Sequence, residues 1–170
     1  MAEQPRRLRV MADANVVIAG ILFPRWFHEV LRHAMRGDFT LLLSEQVIRE
    51  ARKRMDAGTE LQRATLEQFL ADCPYELIAD PSRQEVLENA GLVRDPTDVP
   101  IALAAIKAHA DYLVTNDKDL TAVDATTDVL REQIQPIIVG RFLREVMGWS
   151  SEMLEAVRRR NWRDLAVSGG

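Results

Sequence analysis

Four carboxylates stand where chemistry is the most economical reason for them. Asp13 closes the apolar run Leu8-Arg9-Val10-Met11-Ala12, and Glu50 lies in a short helix-like stretch. Asp98 ends Asp95-Pro96-Thr97-Asp98, ahead of an alanine-rich segment, and Asp117 follows Tyr112-Leu113-Val114-Thr115-Asn116. Two of the four cap expected strands at their carboxyl ends, the edge where open α/β sheets place ligands. Carboxylates gathered in one place repel one another unless a divalent cation sits between them. Oxygen donors without Cys or His partners suit Mg²⁺ or Mn²⁺. Such a centre positions and activates water for in-line attack on a phosphodiester.

Each carboxylate also has a structural explanation. Asp13 is placed to start a turn. Asn15, two residues on, is placed either to hold the Asp13 carboxylate or a metal-bound water, or to cap a helix. Glu50 flanks the apolar face of Val47, Ile48, Ala51 and Met55, where an i,i+4 pair with Arg54 would account for it. Asp98, in a first helical turn, would stabilise the helix dipole by ~0.3–1 kcal/mol; Asp95 does the same or starts the turn with Pro96. Asp117 is the strongest single case. Thr115-Asn116-Asp117-Lys118-Asp119 gathers a hydroxyl, an amide and two carboxylates at the end of a buried-type strand, more than a surface turn explains. Asp119 reads as an outer ligand or as a cap for the turn at Leu120.

The elements that must position these groups alternate. Strands are expected at Leu8 to Ala12, Phe39 to Leu43, Tyr75 to Ala79, Tyr112 to Thr115 and Gln135 to Val139, the last an edge strand because Pro136 stands at its start. Helical spacing runs from Trp26 to Met35 and ends at Gly37. Ser44 is expected to cap a helix through Met55, and a further helix carries Leu61, Leu66, Phe69 and Leu70 up to Cys73-Pro74. A short helix over 82–90 is followed by one over Ile101 to Ala110, capped by Thr97. The pattern predicts an α/β fold with a mainly parallel sheet over residues 1–139. Residues 140–170 carry helical but no strand patterning and read as a helical extension on the domain or on a partner.

The 170 residues suit one domain with a real core. A net charge of −4 argues against a broad basic surface for duplex DNA, without excluding nucleic acid where bound cations restore charge. One cysteine, Cys73, excludes an internal disulfide, and His28, His33 and His109 lie scattered, without zinc spacing. No apolar run reaches the roughly 18 residues of a membrane span. Arg6, Arg7 and Arg9 precede an apolar stretch as in a signal peptide, but Asp13 and Asn15 interrupt it. The expected compartment is the cytoplasm. A haloacid-dehalogenase-like phosphatase would need a second Asp where Asn15 stands, and no GxxxxGK[ST] or GxGxxG supports nucleotide binding.

Asp13-Ala14-Asn15, Ser44-Glu45-Gln46-Val47-Ile48-Arg49-Glu50, Asp95-Pro96-Thr97-Asp98 and Val114-Thr115-Asn116-Asp117-Lys118-Asp119-Leu120 together resemble the PIN-domain nucleases, especially the VapC-like ribonuclease toxins of type II toxin–antitoxin pairs. The resemblance spans about residues 8–121. It implies a three-layer α/β/α fold and Mg²⁺- or Mn²⁺-dependent endoribonuclease activity with RNA as substrate. By position, Asp13, Glu50, Asp98 and Asp117 match the family's acidic quartet, Thr115 a neighbouring hydroxyl and Asn15 a polar neighbour of the first Asp. Many members carry a further acid directly after the third; here that residue is Val99, which Asp95 or Asp119 is placed to replace. The toxin role implies an antitoxin partner. The alternatives are a housekeeping RNA-processing nuclease and a catalytically silent RNA-binding or assembly module. Arg49, Arg52 and Lys53 beside Glu50 are candidate phosphate contacts or plain surface charge, as are Arg158, Arg159 and Arg160, which an acidic partner would also suit. Trp26, Phe27, Trp149 and Trp162 read as a homodimer or antitoxin interface, or as core.

Overall fold

The computed structural model describes residues 6–168. Five strands, β1 (Arg9–Ala12), β2 (Thr40–Ser44), β3 (Tyr75–Ile78), β4 (Tyr112–Val114) and β5 (Gln135–Ile137), form one all-parallel sheet in the order β3-β2-β1-β4-β5. Met11 lies opposite Leu42 on one side and Leu113 on the other. Central strands of a parallel sheet are covered on both faces and therefore read as unbroken apolar runs. Val10, Met11, Leu41, Leu42, Leu43 and Leu113 are accordingly fully buried. Pro136 sits in β5, at the sheet edge as expected, where the absent N–H leaves no ladder bond unmade.

Helices α1 (Ala14–Leu22) and α2 (Trp26–Arg36) join β1 to β2, and α3 (Glu45–Asp56) and α4 (Glu60–Asp72) join β2 to β3. The chain then passes back beyond β1 through α5 (Arg83–Glu88), a 3-10 turn (Pro96–Asp98) and α6 (Val99–Lys107) to β4, and through α7 (Lys118–Thr121) and α8 (Asp128–Gln133) to β5. Parallel crossovers are right-handed, so reversing direction at β1 puts these two sets of helices on opposite faces. Within the first set α1 packs on α2, α3 and α4; within the second α6 packs on α5 and α8. This is the expected α/β/α sandwich. Its topological switch point lies between the carboxyl ends of β1 and β4, where Asp13 and Asp117 stand.

Several local signals act as read. Gly37 ends α2 at φ 78°, a conformation that suits a residue without Cβ. Ser44 caps α3, its hydroxyl accepting from the Val47 N–H. Gly20 permits the close crossing of α1 and α2, since a Cβ there would lie 2.5 Å from Leu31 Cδ1. Thr97 is a correction. It does not cap α6; it lies inside the 3-10 turn, and both its N–H and its hydroxyl donate to Asp95 Oδ1, at 3.0 and 2.8 Å. The helix begins at Val99, ahead of the expected Ile101, with Pro100 in its first turn, and ends at Lys107 rather than at Ala110.

After β5 the chain runs through α9 (Val139–Arg141), a π-turn (Phe142–Val146), α10 (Ser151–Val157) and α11 (Trp162–Ser168). Phe142 is fully buried, edge-on to Phe39 and Tyr112. Three indole N–H groups tie this segment to the α1–α2 hairpin: Trp26 donates to Leu154 O at 2.9 Å, Trp149 to His33 Nε2 at 2.9 Å and Trp162 to Leu22 O at 3.1 Å. Phe27 packs half-buried against the core. Arg158 pairs with Glu155 and Arg160 with Glu29. Among the described residues no helix is long and apolar enough to cross a membrane.

Candidate metal centre

Asp13 follows β1 directly, and its N–H still donates to Val114 O across the ladder at 3.2 Å. Both oxygens of its side chain are engaged. Oδ1 accepts from the Asn15 N–H at 2.7 Å, which makes Asp13 itself the cap of α1; Oδ2 accepts from the Thr115 hydroxyl at 2.6 Å. Asn15 thus holds the Asp13 carboxylate through its backbone, and its exposed side chain borders the cleft. Thr115 is fully buried, and its hydroxyl oxygen also accepts from the Asp117 N–H at 3.0 Å. One hydroxyl therefore fixes the ends of both central strands. Asp117 caps α7, taking the Asp119 N–H at 2.8 Å, so the cap lies at residue 117 and not at 119. Asn116 Oδ1 accepts from the Val139 N–H at 3.2 Å and ties the loop after β4 to the chain leaving β5.

Glu50 is exposed on α3 and takes a hydrogen bond from Gln46 Nε2 at 2.8 Å, i−4, in place of the expected pairing with Arg54. Asp98 stands at the N-cap position of α6 but makes no capping hydrogen bond, and its buried Oδ2 meets no hydrogen-bond donor among the described residues. Its side chain therefore satisfies none of the free N–H groups at the helix start. Asp13, Glu50, Asp98 and Asp117 line one cleft of about 230 Å³, together with Asn15, Gln46 and Thr97 and the apolar Val47 and Ile101. Asp95, Asp98 and Asp119 form a tighter group, each offering a carboxylate oxygen within 4.8 Å of the others. Asp98 belongs to both sets. The two acids suited to replace the missing one at Val99 lie beside it.

The electrostatics match. Burial raises the Asp13 carboxyl above its ordinary value; the bonds from Thr115 and Asn15 oppose this, and the charges of Asp117 and Glu50 add to it. The Asp98 carboxyl is pushed up to about 7, by burial first, then by the hydrogen bond its protonated form makes to Asp117, and by the charges of Asp117, Asp95 and Asp13. An orphaned buried oxygen among mutually repelling carboxylates fits a hard divalent cation. A folded value above the ordinary 3.8 means that the native state holds this proton more tightly than the unfolded chain. Its stabilising effect is complete below 3.8 and is lost as pH rises to about 7. In chelator the melting temperature should therefore fall across that window, and Asp98→Asn should flatten the slope. An unchanged slope in the variant would contradict the assignment.

Arg49 pairs with Asp80 at 2.7 Å and Arg52 with Glu67 at 2.8 Å; with Lys53 they lie exposed on α3, outside the cleft lining. Cys73 is buried and its thiol pushed up to about 11 by that burial, so it presents no thiolate. Gln46 was not singled out by sequence; its one signal is the i,i+4 spacing to Glu50.

Residues 9–119 match the PIN domain model. The chain belongs to the PIN domain family. No curated protein matches it significantly. Among solved structures this PIN domain is similar to PAE2754 from Pyrobaculum aerophilum, with 21% identity and a TM-score of 0.56 over 84% of this chain and 97% of that one. It is also similar to VapBC2 from Rickettsia felis bound to a DNA fragment from their promoter, with 20% identity and a TM-score of 0.54 over 77% of this chain and 98% of that one. At these identities the likeness concerns the fold. The matched span contains all four cleft carboxylates and ends at Asp119, before β5 and the C-terminal helices.

Proposed function

We propose that this PIN domain is a Mg²⁺- or Mn²⁺-dependent endoribonuclease acting as the toxin of a toxin–antitoxin pair. Family membership supports a nuclease. The observation that carries the metal is the buried Asp98 Oδ2, which meets no hydrogen-bond donor among the described residues, in a cleft shared with Asp13, Glu50 and Asp117. These four residues would hold the cation, with Asp95 and Asp119 close enough to Asp98 to complete its surroundings. When bound, the ion supplies an activated water and neutralises charge developing on the phosphodiester. The chain's own part is positioning. Thr115 locks Asp13 and the backbone of Asp117 in one register, and the Asn15 N–H sets the Asp13 rotamer. Val47 and Ile101 wall the cleft with apolar surface, which lowers the local dielectric and strengthens charge interactions within it.

The toxin role draws on the fold likeness to VapBC2 and implies an antitoxin as partner. Expression of the chain in a bacterial host, followed by sequencing of RNA ends, tests the reading. Growth should stop, new RNA ends should accumulate, and co-expression of a small neighbouring open reading frame should restore growth. New ends without growth arrest would instead indicate an RNA-processing enzyme. Neither effect would indicate a silent module.

A further inference from the structure

Gln46, a neutral side chain in the cleft lining, donates directly to the proposed ligand Glu50. Gln46 and Glu50 are one helical turn apart on α3, on the face that lines the cleft, and Gln46 Nε2 donates to Glu50 Oε1 at 2.8 Å. That bond occupies one Glu50 oxygen and leaves the other for a ligand. Glu50 is exposed and long, so without a partner its carboxylate would sample many rotamers.

Gln46 is in turn fixed from outside its helix. Asp80, two residues beyond the edge strand β3, accepts the Gln46 N–H on Oδ1 at 2.8 Å and Arg49 Nη2 on Oδ2 at 2.7 Å. The Asp80 N–H donates back to Glu45 Oε1 at 3.0 Å. Ser44 caps α3 from within, through Val47, while Asp80 supplies a second, reciprocal cap from 34 residues away. The first turn of α3 is thus pinned both to β2 and to the end of β3. Orphan N–H groups at a helix start are normally met by local side chains or water. A carboxylate brought in from the next strand sets the rotation of α3 about its axis as well, and that rotation decides where Glu50 points. This also gives Arg49 a purpose other than RNA contact.

We propose that Gln46, held in place by Asp80, is the positioning residue that aims Glu50 into the cleft. The inference rests on the metal-site reading above. It acts through Glu50, so its signature is non-additivity. Calorimetric titration of Mn²⁺ into the intact protein tests it without any RNA. Gln46→Met keeps the size and removes the amide; it should weaken Mn²⁺ binding about tenfold, the usual effect of losing a partner of a metal ligand, with no change in melting temperature. Asp80→Ala should weaken binding in the same direction. In a Glu50→Ala background neither substitution should change affinity further. Gln46→Met binding Mn²⁺ as tightly as wild type, or weakening it equally in the Glu50→Ala background, would overturn the inference while leaving the metal site standing. A wild-type protein that binds no Mn²⁺ would overturn both.

Discussion

Asp13→Asn should lower Mn²⁺-dependent cleavage of single-stranded RNA on the order of 10³-fold, the scale on which one preorganised electrostatic group contributes, while the protein stays folded and becomes no less stable. The second half follows from what the carboxylate does in the native state. Its bonds to the Asn15 N–H and the Thr115 hydroxyl are structural, and an amide oxygen retains the capping one. Its charge is a burden: burial and the nearby Asp117 and Glu50 carboxylates raise its carboxyl. Removing that charge relieves repulsion without opening a cavity. A loss of activity coupled to equal or higher melting temperature separates a site residue from a fold residue, since functional sites commonly hold groups in destabilised arrangements. Asp13→Ala should lose the same activity but also about 1 kcal/mol of capping. Wild-type turnover in Asp13→Asn would remove Asp13 from the centre, and unfolding of that variant would recast it as a structural cap.

The sheet was legible because its central strands are unbroken apolar runs, and the helices with strong periodicity or a definite stop, such as α2 at Gly37, were legible too. The short helices α7, α8 and α11 lack enough turns to set up a period. Thr97 departs from its sequence pattern for a chemical reason. A hydroxyl ahead of a helix looks like a cap, yet here a closer acceptor, Asp95 Oδ1, captures both it and its N–H, and the chain spends one 3-10 turn before α6 begins. At the site, Asp13 and Asp117 were readable from strand ends alone, because a parallel sheet brings adjacent carboxyl ends together. The grouping of Asp95 and Asp119 with Asp98 was not, since it depends on how two loops meet beyond the sheet. The link from Asp80 to α3 was equally invisible, as nothing in a sequence shows a cap supplied from the next strand.

Arg160→Ala is expected to destabilise the protein by about 3 kcal/mol, the lower end of the range for breaking a buried ion pair. Arg160 Nη2 lies 2.5 Å from Glu29 Oε1, with side-chain exposures of 16% and 4%. Its Nε also donates to Pro24 O at 2.7 Å, and its carbonyl oxygen accepts from Arg25 Nε. Burial works against the charged form of Glu29, and the Arg160 hydrogen bond with the Arg32 charge outweighs it, holding the carboxyl below its ordinary value. The pair's contribution is therefore complete above the unfolded value of 4.5 and lost as pH falls through the lower folded value. Deleting Arg160 leaves Glu29 buried with its ion pair to Arg32, at 3.2 Å, still in place, which is why the effect lies at the low end of that range. For a domain of this size the loss corresponds to roughly 10 °C in melting temperature. The design of the pair yields a sharper test than the single variant. Replacing both partners by apolar residues of similar volume removes the desolvation of both charges, so Glu29→Met with Arg160→Met should recover most of the stability lost in Arg160→Ala. Because Trp149 and Trp162 dock on the same hairpin of α1 and α2, their fluorescence in the single variant should change at a lower denaturant concentration than far-ultraviolet circular dichroism. Coincident, unshifted transitions in Arg160→Ala would mean that the C-terminal helices hold to the sheet through Phe142 and its neighbours alone.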